Sequence, residues 1–354
     1  MIRTMTVLAF LIMLSRVVEP AWQAGVTTLT ERTACRTLDG RELLRIGDIH
    51  EMQNHLQEAL PYYQQALEAF RAKTQRRGEA MALVKIGQVL YRQEKLQEAL
   101  AVVTSAVSLW RLLGDDLHRG QALTNLGEVA EALGRTTEAE QAFETSISLL
   151  RKAKEWEGLI YSQMRLGHLR IKHDSVTEGM DLLRTALKEA RERRHVDHQI
   201  MALIMIGDAE RSAGQLDDAK VRYEEGLKIA ENNKMNTIEA DLLACLAQVH
   251  EAAERYADAQ AAASKALALY RSHRNKPREA DMLSLLGNIY RAQGDTTSAL
   301  EHHERALTIY RALRDRLREA GSLANLAIVY EAQGAVEQAR ETQGKAVFLL
   351  QPTS

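Results

Sequence analysis

Proline and cysteine are both scarce in this chain of 354 residues, with 4 of the first and 2 of the second. So little proline leaves long helical stretches unbroken. Two cysteines, Cys35 and Cys245, make no disulfide framework and no paired Cys-x-x-Cys metal or redox motif. Neither sign of charge dominates. The 46 basic and 48 acidic residues leave a net charge of −2, without the field that nucleic acid or an anionic membrane requires. No apolar run is long enough to span a bilayer. Catalytic signatures are missing as well: there is no Gly-rich phosphate loop and no G-x-S-x-G elbow. His250 and Glu251 open a segment that starts like a zinc-protease helix, but Glu254 stands where the second histidine belongs. His195 with His198, and His302 with His303, lack a third ligand and read as solvated surface histidines. No enzyme, no cofactor and no metal site is therefore expected.

What the chain has is a period. Gly47, Gly87, Gly127, Gly167, Gly207, Ala247, Gly287 and Ala327 follow one another at forty-residue steps. Twelve residues after each anchor stands another small residue: Ala59, Ala99, Ala139, Gly179, Ala219, Ala259, Ala299 and Ala339. Such self-similarity marks one supersecondary unit stacked on itself. Around the anchors the apolar residues recur at helical spacing, as in Leu83, Ile86 and Val89. A second apolar stripe follows, as in Ala99, Ala106, Val107 and Trp110. Each unit is therefore a helical hairpin. Gly134, Gly214, Gly294 and Gly334, with Asn54 in the first unit, lie seven residues past their anchors, where a left-handed residue ends the first helix. The small residues are expected to let the paired backbones approach closely. Phe70, Trp110, Tyr270 and Tyr310 share one repeat position and are expected in the core. The expected class is all-α, with one domain over residues 31–354 divided into repeats 38–77, 78–117, 118–157, 158–197, 198–237, 238–277, 278–317 and 318–354. Pro277 falls at the start of the seventh repeat's first helix, where a missing N–H is harmless, and Pro61 falls inside a helix and should bend it slightly.

The pairs Ile46-Gly47, Ile86-Gly87, Leu126-Gly127, Leu166-Gly167, Ile206-Gly207 and Leu286-Gly287, with the later small positions Ala99 and Ala106 or Ala299 and Ala306, resemble the signature of tetratricopeptide repeats over about residues 38 to 350. The unit departs from that family's usual length, and Arg71, Arg111, Arg151, Arg191, Arg271 and Arg311 stand where it often has a helix-ending proline. Both departures point to a longer second helix. Forty-residue units of this style resemble those of kinesin light chains and of bacterial scaffold or signalling proteins. The resemblance implies a right-handed α-solenoid of eight stacked hairpins whose ligands lie along the first helices, facing residues two before and one after each anchor. These positions hold Arg45, Asp48, Lys85, Gln88, Asn125, Glu128, Arg165 and His168, then Met205, Asp208, Cys245, Gln248, Leu285, Asn288 and Asn325. Arg45, Lys85 and Arg165 are the expected partners of an acidic or C-terminal peptide group. The family's carboxylate clamp is matched at Asn125 and Arg165 only, since Val84, Gln88 and Tyr161 replace its other members.

The expected function is a non-catalytic scaffold for a protein or peptide ligand, without a nucleic-acid partner or a membrane span. The alternatives are a peptide-responsive regulatory sensor and a separate substrate-recruiting subunit of a peptidase or other signalling enzyme. Residues 1–30 stand outside the repeat. The apolar run from Met5 to Leu14 after Arg3 has the length of a signal-peptide core and points to export, to the periplasm or beyond the cell. The alternative is an apolar helix capping the first repeat of a cytoplasmic protein. At the other end Ala346, Val347, Phe348, Leu349 and Leu350 cannot all pack inward on one helix, so self-association or a partner contact is expected there, centred on Phe348 and Leu349.

Overall fold

A computed structural model describes residues 38–351. Cys35 and the apolar run from Met5 to Leu14 lie outside them. Among the described residues there is no strand, and sixteen α-helices follow in tandem, the number that eight hairpins require. The described residues form two compact units, one ending at residue 135 and the other beginning at residue 136. The first holds α1 (Gly40–Met52), α2 (Leu56–Ala72), α3 (Arg76–Arg92), α4 (Leu96–Leu112) and α5 (Asp116–Ala132). Within it α1 pairs with α2 and α3 with α4, and each second helix stacks on the next first helix. The second unit holds α6 (Thr136–Ala153), α7 (Trp156–Lys172), α8 (Val176–Glu192), α9 (Val196–Ser212), α10 (Leu216–Asn232), α11 (Asn236–Ala252), α12 (Tyr256–Ser272), α13 (Lys276–Ala292), α14 (Thr296–Leu313), α15 (Arg316–Ala332) and α16 (Val336–Leu350). It repeats the same pairing from α7 with α8 to α15 with α16. Pro61 lies within α2 without ending it, and Pro277 lies in the first turn of α13.

One device ends the helices. Positive φ recurs every twentieth residue from Asn54 to Gly334, twice as often as the sequence period. Asn54, Gly134, Gly214, Gly294 and Gly334 take the left-handed conformation expected of them. Between hairpins, and in the turns where the sequence offers no glycine, residues such as Thr74, Glu94, Lys154 and Arg274 are forced into it. The Glu94 N–H donates to the Tyr91 carbonyl at 3.0 Å and the Lys95 N–H to the Leu90 carbonyl at 2.9 Å. That bond pair satisfies carbonyls the helix end would leave open, and a left-handed residue is needed to make it.

The anchors work differently from expectation. A Cβ added to Gly47 would sit 2.4 Å from the Tyr63 ring, one on Gly87 2.3 Å from Val103, and one on Gly207 2.7 Å from Tyr223. The absent side chain thus makes room for a large residue sixteen positions later, on the second helix. Backbone meets backbone at Gly167 alone among these, where an added Cβ would lie 2.9 Å from the Gly179 carbonyl oxygen. The twelfth-residue alanines are buried, and so are the expected core aromatics Phe70, Trp110, Tyr270 and Tyr310. Each such ring stabilises its hairpin by roughly 1.5–3 kcal/mol through burial.

The arginines that replace a helix-ending proline have a structural task at three junctions. Arg71, Arg271 and Arg311 each place Nε 2.9 Å from the carboxylate of Glu79, Glu279 or Glu319, eight residues on in the next first helix. The second helices run 17–18 residues before reaching that junction, apart from α16 with 15. Burial alone would raise the pKa of Glu279, but the Lys276 and Arg271 bonds outweigh it and hold the carboxyl below its ordinary range. His303 corrects a sequence expectation: it is fully buried rather than solvated, its ring lying 2.7 Å from where a Gly287 Cβ would be.

Candidate functional site

In each unit a large recess opens on the first helices, at the positions two before and one after the anchors. In the first unit, Arg45 and Asp48 of α1 line a recess of about 790 Å³ with Arg41, Leu44, Phe70, Arg76, Arg77 and Met81. A smaller recess of about 210 Å³ shares Leu44, Asp48 and Met81 and continues to Lys85, Trp110 and His118. In the second unit, Asp208, Cys245, Gln248, Leu285 and Asn288 line a recess of about 590 Å³ with Asp241, Arg278, Asp281, Tyr270 and Tyr310.

The charges of the first recess are unequally engaged. Lys85 places Nζ 2.9 Å from Asp48 and 3.4 Å from Glu51. Burial opposes its charge, yet the two carboxylates prevail and raise its pKa. The Tyr63 hydroxyl lies 2.9 Å from Asp48 and 2.7 Å from Glu51, its one proton shared between them, and Arg92 stands 3.5 Å from Glu51. Lys85 is thus held by its own protein. Arg45 is exposed and makes no ion pair among the described residues. Gln88, Asn125 and Glu128 are half-buried on the first helices of this unit. Arg165 (half-buried) and His168 (exposed) belong to the second unit, as do Asn288, lining its recess, and half-buried Asn325.

Tyrosines from the second helices also organise the recess of the second unit. Tyr223 donates to Asp208 at 2.7 Å, Tyr270 to Asp241 at 2.6 Å and Tyr310 to Asp281 at 2.7 Å. Burial, then the neighbouring aspartate, raises each phenol's pKa far above its ordinary value. Arg278 lies 4.0 Å from Asp241 and 3.8 Å from Asp281. The Cys245 thiol is pushed up to about 12, by burial first and then by Asp208, so it is present as the thiol and is a poor nucleophile. His195 and His198 meet edge to face with ring centres 5.8 Å apart. Among the described residues no group of three or more His, Cys, Asp or Glu is placed to hold a metal ion. No described helix is long and apolar enough to cross a membrane.

Arg41, Arg76 and Arg77 escaped the sequence reading because they lie off the two expected positions. The tyrosine bonds left a trace, since Asp48 to Tyr63 and Asp208 to Tyr223 repeat one spacing and Asp241 to Tyr270 and Asp281 to Tyr310 another. At the last hairpin Ala346 is buried and Leu349 packs half-buried with Leu307, Leu323 and Leu326. Phe348 is 70% exposed, with Val347 and Leu350 exposed beside it.

A profile described as a MalT-like TPR region matches residues 112–281, and two tetratricopeptide repeat profiles match residues 44–111 and 278–347. The chain belongs to the tetratricopeptide repeat family. No curated protein matches it. Among solved structures this tetratricopeptide array is similar to the apo form of the quorum sensor NprR from B. thuringiensis, with a TM-score of 0.67, 13% identity and 93% of each chain covered. It is similar to a Rap protein complexed with competence and sporulation factor, with a TM-score of 0.60, 12% identity, 92% of this chain and 91% of that one. A third similar structure is a signal transduction ATPase with a tetratricopeptide repeat sensor from Pyrococcus horikoshii, with a TM-score of 0.66 and 16% identity. There the match covers 88% of this chain and 47% of that one. At these identities the likeness concerns the fold.

Proposed function

We propose that this tetratricopeptide protein is a non-catalytic interaction scaffold that holds a peptide or helix along its first helices. One observation carries the reading: in both units a large recess opens on the positions the family uses for ligands, with mixed polar and apolar lining. Repeat arrays of this kind supply extended surfaces along their stacked units. A peptide-responsive sensor is the second reading, favoured by similarity to a quorum sensor and to a protein with a tetratricopeptide repeat sensor. The test is selection of short peptides from a displayed random library on the full-length protein. Hydrogen exchange with the selected peptide follows. Binding that protects α1 and α3, or α9, α11 and α13, supports the reading. No enrichment over an unrelated helical protein, or protection confined to the second helices, overturns it. A sensor also changes exchange in helices the peptide does not touch, whereas a simple scaffold does not.

A further inference from the structure

We infer that the outer face of α16 is a pairing surface for a second copy of this chain, in which Phe348 of each protomer enters a recess beside Phe348 of the other. The surface shares no lining residue with the recesses on the first helices, so the inference is independent of the peptide-binding reading.

A comparison of repeats carries it. Phe348 is 70% exposed, and the same position is exposed in every other repeat. There it is polar in six repeats, among them Glu68, Ser108, Lys228 and Thr308, and small in the seventh, Ala268. All seven stay exposed although another hairpin follows each of them in the chain, so the stacking of repeats does not cover this position. A phenylalanine there is placed for a contact outside its own array. Val347 and Leu350, both exposed, widen the apolar surface around it.

The hole lies on the same patch. Phe348 lines a recess of about 430 Å³ whose other apolar walls are Leu323 and Leu349. Gly344 keeps it open, since a Cβ there would meet nothing within 4 Å. Its counterparts Glu144, Arg184, Glu224 and Glu304 carry side chains long enough to occupy that space. At Gly47, Gly87 and Gly207 the missing side chain makes room for the hairpin's own core. At Gly344 it makes room for nothing in the chain, although glycine weakens a helix interior.

Charge and symmetry select the partner. The four charged residues lining the recess neutralise one another, Arg311 with Glu319 at 2.9 Å and Lys345 with Glu341 at 2.6 Å. Such a patch neither repels its own copy nor selects a ligand of one sign. A twofold contact requires a patch complementary to itself, and a ring beside an open recess meets that requirement. The recess recurs at α3 and α4, where Arg71, Glu79, Leu83 and Leu109 hold the same repeat positions but Ser108 replaces the ring. Phe348 seated there would build a head-to-tail chain with one ring inserted per contact. The closed pair inserts two.

Sedimentation velocity of the full chain over a concentration series tests this, with circular dichroism of each variant. The wild type should form a reversible dimer and nothing larger. Phe348→Ser, which copies the α4 position, should weaken the dimer by about tenfold or more, and Gly344→Gln, which fills the recess, should weaken it similarly. Both positions are exposed, so helicity should be unchanged. Mixing decides the geometry: Phe348→Ser keeps the recess without the ring, Gly344→Gln keeps the ring without the recess, and together they should dimerise more tightly than either alone. A wild type that is monomeric at tens of micromolar, a dimer that neither variant weakens, or a mixture no tighter than its components overturns the inference. Species larger than a dimer overturn the closed pair as well, and their loss in Ser105→Lys with Ser108→Lys would assign them to the α4 recess.

Discussion

His303 should make the seventh hairpin acid-sensitive. Its ring is fully buried in the space that Gly287 leaves, and neither ring nitrogen has a hydrogen-bond partner. Burial first, then the nearby Arg291 and His302, pushes its pKa from the ordinary 6.5 down to about 4. A folded-state pKa below the unfolded one means the unfolded chain takes up the proton more readily. Stability from the neutral ring is therefore complete above pH 6.5 and is lost as pH falls from there towards 4. Between pH 7 and pH 5 the loss comes to about 2 kcal/mol, or roughly thirtyfold in the opening equilibrium. His303→Phe keeps a ring in the cradle and removes both the titration and the unsatisfied nitrogens, which should add about 1 kcal/mol at pH 7. Each repeat contacts only its neighbours, so opening is local and amide exchange over α13 to α16 is the suitable assay. After correction for intrinsic rates, the wild type should lose protection there between pH 7 and pH 5, and His303→Phe should not. The same loss in both proteins, or a His303 ring signal titrating near its ordinary value, would refute the reasoning.

Gly207→Leu should cost about 1–3 kcal/mol, because the new side chain meets the Tyr223 ring; unchanged thermal stability would remove the cradle role. Gly207→Ala with Tyr223→Ala recreates the small pair that Ala247 and Ala263 form in the next repeat. A double-mutant cycle should show the two changes together costing less than their sum. Thr74→Gly should raise stability by about 1 kcal/mol, since a β-branched residue is held at φ 51°, and no rise in melting temperature would count against strain there. Glu279→Gln should destabilise the junction of α12 and α13 by about 1–3 kcal/mol in chemical denaturation at neutral pH. Glu279 has a lowered pKa, so the wild-type advantage should fade as pH falls below the ordinary 4.5. Self-association through the last hairpin predicts that Phe348→Asp shifts sedimentation towards monomer. Monomers of both proteins at tens of micromolar would end that idea.

The hairpins were legible because their signal is one of volume and spacing, which the sequence carries directly. Gly134 and Gly214 announced left-handed helix ends for the same reason. Glu94 and Lys154 gave no such sign, because their conformation is imposed by the hydrogen bonds at the helix end and not by any preference of glutamate or lysine. The place of Arg45 on the first helix follows from its position in the repeat. The engagement of Lys85 was not legible: it requires Asp48 and Glu51 from α1, which a tyrosine of α2 bonds as well, and only the folded pair of hairpins brings these together. His303 looked like one of two adjacent surface histidines. His302 beside it is half-buried, and that says nothing about His303, since successive helical residues point in different directions.

The core also dictates part of the candidate groove. Where the anchor is glycine and the residue sixteen positions on is tyrosine, the phenol reaches past the missing side chain and needs an acceptor for its buried hydroxyl. Asp48 accepts from Tyr63 and Asp208 from Tyr223, each one residue after its anchor. The other repeats hold Val103, Phe143, Leu183, Ala263, His303 and Gln343 at the later position, and none of these has aspartate after the anchor. Acid at that point of the first-helix face therefore answers a demand from inside the hairpin before it can answer a ligand. Arg41 and Arg45 satisfy no such demand. A side chain that is exposed and makes no ion pair among the described residues is the one with donors left for a ligand, which is why the arginines rather than the aspartates are the groups to test first.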